Sequence, residues 1–190
     1  MALTNVQIER PNPQAEFLRA SPMRKMPALV DGDFSIADST AIITYLECKQ
    51  PSPAMLPSAA APRAKAIWFE EFADTLLSVV VFKAFFNRII MPKFFKQSGN
   101  EALAVEGETK ALPPLLEYLE TVVPEPGRYL AGTSISVLDI AVASMFVNYQ
   151  HAQLAIDRAW YPKTVAWVGS MLARPSFAKL IAAEKQILAA

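Results

Sequence analysis

The side chains able to do chemistry are few and scattered along this 190-residue chain. There is one thiol, Cys48, and one imidazole, His151, so the usual Cys/His zinc site cannot be assembled and no metal is expected. Cys48 has no Cys-x-x-Cys partner, which argues against a redox pair. Asp38-Ser39 stands just before an apolar helical stripe, where the first N–H groups of a helix form a ready anion site. The same pair also reads as a plain helix cap. Ser136 and Asp139 have the Ser-x-x-acid spacing of a capping box, which makes Asp139 a folding residue rather than an acid catalyst.

The elements that must position these groups fall into two kinds. Residues 6–9 lean towards a strand, Pro11 and Pro13 interrupt it, and residues 14–20 give two helical turns. Residues 26–30 form an apolar strand, Asp31-Gly32 signals a tight hairpin, and residues 34–36 return with Phe34 and Ile36 on one face. Ala41, Ile42, Tyr45 and Leu46 then mark an amphipathic helix. Residues 1–50 therefore read as an α/β unit. Pro51, Pro53, Pro57 and Pro62 make residues 51–62 a linker, because proline cannot serve a helix or sheet ladder. Residues 63–190 are helical in pattern. A long, largely buried helix over 64–90 is stopped by Pro92, and a second over 100–123 kinks or restarts at Pro113-Pro114. Further helices cover 136–150, 163–173 and 177–188.

Composition excludes several classes of function. Eighteen basic and 18 acidic side chains cancel, which removes the charge footprint of a nucleic-acid binder and any polybasic membrane anchor. Six glycines are about half the ~7% of average chains, which disfavours Gly-rich phosphate loops. The longest apolar stretch, residues 76–82, is broken by Ser78 and followed by Lys83, short of the ~20 residues of a membrane span. The N-terminus lacks the apolar core of a secretory signal, so a cytoplasmic protein is expected.

Three segments carry a resemblance: residues 21–30 (SPMRKMPALV), 36–42 (IADSTAI) and 132–140 (GTSISVLDI). In this order and at these intervals the chain resembles the cytosolic, bacterial-type glutathione S-transferase family. The resemblance implies an α+β two-domain protein, with a thioredoxin-like α/β domain followed by an all-helical domain. It implies a glutathione transferase that conjugates the glutathione thiolate to a small hydrophobic electrophile in the cleft between the domains; the alternative is a non-catalytic glutathione-binding or protein-interaction member of the same fold. Pro27 matches the family's cis-proline, which frees the N–H and C=O of Met26 for the cysteinyl backbone of glutathione. Asp38 and Ser39 match the pair that holds its γ-glutamyl end, and Lys25, with Arg24 a weaker candidate, faces the glycyl carboxylate. A homodimer is implied as well.

The electrophile pocket would be drawn from Phe82, Phe86, Met145 and Tyr149, with His151 nearby. The family's first strand and first helix, whose connecting turn carries the thiolate-stabilising Tyr, Ser or Cys, have no counterpart here. Residues 1–4 resemble the opening of that strand and residues 5–8 the family's second strand. Either a stretch is absent between Thr4 and Asn5, or the protein is built without it. No catalytic residue is therefore named; Thr4 and Cys48 are poor substitutes.

Overall fold

A computed structural model describes residues 15–189. The expected strand over 6–9, Pro11, Pro13, the first residue of the helix at 14–20 and the alignment of residues 1–8 lie outside the described residues. Chain contacts divide the protein into two units, residues 1–55 and 56–190.

The first unit contains α1 (Ala15–Ala20), β1 (Ala28–Asp31), β2 (Phe34–Ala37) and α2 (Ser39–Lys49). β1 and β2 pair antiparallel from Ala28↔Ala37 to Asp31↔Phe34. The hairpin turn is Gly32-Asp33 rather than Asp31-Gly32. Gly32 takes φ 61°, the conformation open to glycine at the first central position of a two-residue turn. Phe17 and Ala20 of α1 are buried, whereas α2 buries no residue fully. At the far end of α2, Tyr45 donates to Asp31 Oδ2 at 2.7 Å, Lys49 pairs with the same carboxylate, and Phe34 stacks on the Tyr45 ring at 4.6 Å. These contacts fix α2 against the hairpin. The two hydrogen bonds, that of Lys49 first, hold the Asp31 carboxyl below its ordinary range.

The second unit is helical: α3 (Ala60–Phe94), α4 (101–122), α5 (Val137–His151), α6 (Pro162–Leu172) and α7 (Pro175–Ala189). Its core joins Phe69, Leu77, Val81 and Ala84 of α3 to Leu112 and Leu119 of α4, Leu138, Val142 and Phe146 of α5, and Trp167 and Met171 of α6. Leu138, Val142 and Phe146 follow the four-residue spacing that puts them on one face of α5.

α3 corrects the sequence reading in three ways. It starts at Ala60, with Pro62 accommodated in the first turn, where a missing N–H costs nothing. It continues through Pro92 to Phe94, because a π-turn at Phe86–Ile90 loosens the ladder just ahead of the proline. It is also less buried than expected: Trp68, Leu76, Val79 and Phe82 are each about half exposed. By length and composition alone α3 would reach across a membrane, a property hidden in the sequence by Ser78 and Lys83. α4 holds a π-turn at Gly107–Ala111 before Pro113, close to the expected restart.

Candidate functional site

In the first unit the site grows from the loop between α1 and β1. Ser21 is buried, and its hydroxyl accepts from Lys25 N at 2.8 Å while donating to Lys25 O at 2.7 Å. One side chain thereby closes residues 21–25 into a fixed turn, with Arg24 at φ 59°. The sequence reading missed this role; a Ser-Pro pair before a strand was the available signal. The chain then passes Met26, joined to Pro27 by a cis peptide bond, before the ladder begins at Ala28. Met26 is exposed, and its N–H and C=O lie outside the ladder. A second cis bond, Ser52-Pro53, lies in the linker and was not expected.

The register sets what stands beside Met26. Since Ala28 faces Ala37, Met26-Pro27 and Asp38-Ser39 leave the same end of the hairpin. Asp38 is the N-cap of α2: its Oδ1 accepts from Thr40 N at 3.0 Å and Ala41 N at 3.3 Å, and its C=O accepts from Ile42 N. Its backbone is held at φ 84°, ψ 131°, a conformation that costs a non-glycine residue about 1–3 kcal/mol. The anion-site expectation for this helix end needs correcting on one point. Two of the N–H groups counted as open to a ligand carboxylate are already satisfied by Asp38 itself. Ser39, the first helical residue, is half-buried, and the Lys25 side chain is exposed on the neighbouring loop.

The second unit holds the other expected residues. Ser136 and Asp139 form the capping box of α5. Asp139 is fully buried, and beyond the box its Oδ1 accepts from Leu130 N at 2.7 Å, pinning the preceding loop. Its Oδ2 accepts from the backbone and hydroxyl of Ser136 at 2.9 and 3.0 Å. Burial pushes this carboxyl above its ordinary value against those donors. The four residues expected to line a pocket are spread apart in burial: Phe82 is exposed, Phe86 and Met145 half-buried, and Tyr149 buried, with its hydroxyl pushed up by burial and by Glu108. A small open cavity of about 190 Å³ in the helical unit is lined by Phe85, Asn148 and His151, together with Glu184, Ile187 and Leu188. His151, at the end of α5, is bonded through Nε2 to Glu184 at 2.8 Å. Cys48 is exposed on α2. No cluster of three or more metal-binding side chains occurs among the described residues.

Comparison with known proteins bears on both units. Residues 3–54 match the family model for the glutathione S-transferase N-terminal domain, and residues 84–184, more than half of the chain, match the model for the C-terminal domain. The chain is 31% identical over 153 residues to glutathione S-transferase theta-3 of Mus musculus, covering 80% of this chain and 62% of that one. It is 28% identical over 168 residues to a dichloromethane dehalogenase of Methylophilus leisingeri, covering 86% of this chain and 62% of the relative. Among solved structures, glutathione S-transferase-I bound with lactoylglutathione superposes with a TM-score of 0.76 at 25% identity, over 89% of this chain and 79% of that one. The chain thus spans about three-fifths of the length of these two relatives. The matches define a thioredoxin-like N-terminal domain followed by a helical C-terminal domain.

Proposed function

The chain belongs to the glutathione S-transferase family, and from that premise we propose that it binds glutathione at the open end of the hairpin and passes the thiol to a small hydrophobic electrophile. The observation that carries this reading is the juxtaposition of an exposed Met26 backbone with the strained Asp38-Ser39 cap. A strained cap persists where the surroundings over-determine it, and such positions concentrate at ligand sites. In this reading the cysteinyl backbone of glutathione pairs with Met26. Its γ-glutamyl end meets Asp38 and Ser39, with the ammonium facing Asp38 Oδ2, the carboxylate oxygen not used in the cap. Its glycyl carboxylate meets Lys25. The thiol loses its proton to solvent, sulfur bonds to carbon, and the leaving group departs with the electrons of the broken bond. An ordinary thiol has a pKa near ~8.5, so the reaction also needs a thiolate-stabilising donor. We give Lys25, Met26, Pro27, Asp38 and Ser39 binding roles and no catalytic one. The likeness to a dichloromethane dehalogenase makes halogenated carbon a reasonable first electrophile.

The test is retention on immobilised glutathione together with conjugation of an activated aryl halide. Ser39→Ala, which leaves the Asp38 cap in place, is expected to weaken glutathione binding about tenfold. Folded protein that neither retains on the resin nor conjugates the halide would sink the reading. One observation favours a second reading, a family member used for non-catalytic binding or protein contact: Asp38 already occupies two N–H groups of the helix tip. Retention without turnover supports that version. A cytoplasmic homodimer accompanies either reading, supported by the half-exposed apolar side of α3. Light scattering that reports a 20.9 kDa particle at micromolar concentration removes the dimer.

A further inference from the structure

The cavity in the helical unit has an architecture of its own. Asn148 and His151 are one turn apart on α5, and Glu184, Ile187 and Leu188 share one face of α7 by the three- and four-residue spacing. Phe85 of α3 closes the third side, its ring 6.2 Å from that of His151. α7 is moored over this space by the buried Ile181, by the His151–Glu184 bond and by Lys93 Nζ, which donates to Leu188 O. The walls are therefore mostly apolar, with two polar side chains converging from one helix. That is the general form of a small-molecule site.

The hydrogen-bond arithmetic narrows the ligand. The Glu184 carboxylate is an acceptor, so His151 Nε2 carries a proton and donates to it. In the neutral ring Nδ1 is then an acceptor, and it calls for a ligand donor. The Asn148 carboxamide makes no hydrogen bond among the described residues, and it offers N–H donors one turn away. A hydroxyl meets both needs through one oxygen, donating to Nδ1 and accepting from Asn148 Nδ2. A carboxylate does not fit, since it has no proton to give and would lie near Glu184. Size sets the rest: a cavity of about 150 Å³ admits benzene, so about 190 Å³ admits one ring with one or two substituent atoms. Phe85 supplies an aromatic surface for that ring.

We propose that this pocket binds a neutral single-ring phenol, its O–H donating to His151 Nδ1 and its oxygen accepting from Asn148. The claim concerns the helical unit alone and stands whether or not the chain binds glutathione.

The test uses the full chain, glutathione-free, titrated with 4-methylphenol, p-xylene and benzoate and followed by protein NMR. p-Xylene has nearly the same shape and lacks only the hydroxyl. 4-Methylphenol is expected to bind at least about tenfold more tightly than p-xylene, as a site built for a hydroxyl rejects its apolar analogue. It should move the Asn148 side-chain amide signals and the His151 Nδ1 resonance. His151→Phe is expected to bring 4-methylphenol down to the p-xylene level while leaving p-xylene unchanged. Should His151→Phe fail to fold, Asn148→Leu and the Nδ1 resonance of the unmodified protein decide instead. Equal affinity for 4-methylphenol and p-xylene, preference for benzoate, no saturable binding at millimolar ligand, or saturation without change at Asn148 and His151 each overturns the proposal.

Discussion

Glu120 offers the sharpest test of how the helical unit is held. α6 begins at Pro162, and its N-cap, Tyr161, offers no side-chain acceptor. The next two N–H groups are instead capped from α4: Glu120 Oε1 accepts from Lys163 N at 2.9 Å, and Oε2 accepts from Thr164 N at 2.8 Å and from Thr164 Oγ1 at 2.7 Å. Thr164 is fully buried, so losing the carboxylate strands two of its donors in a dry interior. Loss of a helix cap costs about 1 kcal/mol, and stranded buried donors add about 1–3 kcal/mol. Glu120→Ala should therefore destabilise by about 3 kcal/mol, a fall in Tm of about 6–12 °C. Glu120→Gln, which keeps one acceptor, should cost about 1 kcal/mol. The pH dependence is the discriminating part. Burial pushes the Glu120 carboxyl up, but the N–H groups of Thr164 and Lys163 and the Thr164 hydroxyl outweigh it and hold the group below its ordinary value. The unfolded chain, near ~4.3, then binds the proton first, so this stabilisation is full above that value and is lost as pH falls through the folded one. Urea unfolding of the wild type and Glu120→Gln should show a gap at pH 7 that narrows towards pH 3.5. A gap within about 0.5 kcal/mol of zero at pH 7, or one indifferent to pH, refutes the argument.

Other outcomes follow from the same reasoning. Asp139→Ala leaves Leu130 N, Ser136 N and the Ser136 hydroxyl without their buried acceptor and should cost about 3–5 kcal/mol in urea unfolding. Its pH signature has the opposite sign to that of Glu120: the folded pKa is raised, so the advantage of wild type over Asp139→Asn should shrink as pH rises from the ordinary carboxylate range, and growth of that gap would contradict the burial argument. At Gly99 an added Cβ would lie 1.8 Å from the Asn87 carbonyl oxygen, so Gly99→Ala should lower stability by about 3 kcal/mol, whereas a neutral result would show that the chain there can step aside. Arg88, half-buried, binds Glu101 and Glu108 together; Arg88→Met should cost about 1–2 kcal/mol, less in high salt, as read by thermal unfolding at two ionic strengths.

The parts of this fold legible in the sequence are those fixed by neighbours along the chain. The hairpin needed a glycine between two apolar runs, and Gly32 supplied it, displaced by one position. The α5 capping box is spelled within four residues, Ser136 to Asp139. The Asp38 cap could be read from its place just before the α2 stripe, whereas the cis bond at Met26-Pro27 was reached through family resemblance, since a Met-Pro dipeptide by itself favours the trans form. What stayed hidden depends on distant partners. The cap of α6 comes from Glu120, more than 40 residues away. The second bond of Asp139 goes back to Leu130 in a loop without pattern. The cavity takes half its lining from α7, whose own periodicity says nothing about His151. Local spacing names a residue's helix face, but which other face it meets is a tertiary choice.

The prolines show how far local reasoning can mislead. Proline at position i lacks the N–H that would bind the carbonyl at i−4, and its ring crowds that oxygen. For Pro92 that carbonyl belongs to Arg88, and for Pro113 and Pro114 to Thr109 and Lys110; all three lie inside π-turns. The wider turn makes room for the rings, so proline marks a change of ladder here instead of an end. Each of these π-turns, and a third in α3 at Phe72–Leu77, also contains a side chain that donates to a carbonyl four residues back: Thr75 to Glu71, Asn87 to Lys83 and Thr109 to Val105. Side-chain donors of this kind compete with the α-helical ladder and supply what a local change of register withdraws. Thr109→Val, which keeps the shape and removes the donor, should therefore destabilise α4 by about 1 kcal/mol and speed amide exchange across residues 105–111. The same replacement at Thr121, whose hydroxyl bonds the Tyr118 carbonyl in the ordinary α-helical last turn, should leave exchange at 105–111 unchanged. Equal acceleration there by both variants would mean that the hydroxyls have no part in holding the π-turn.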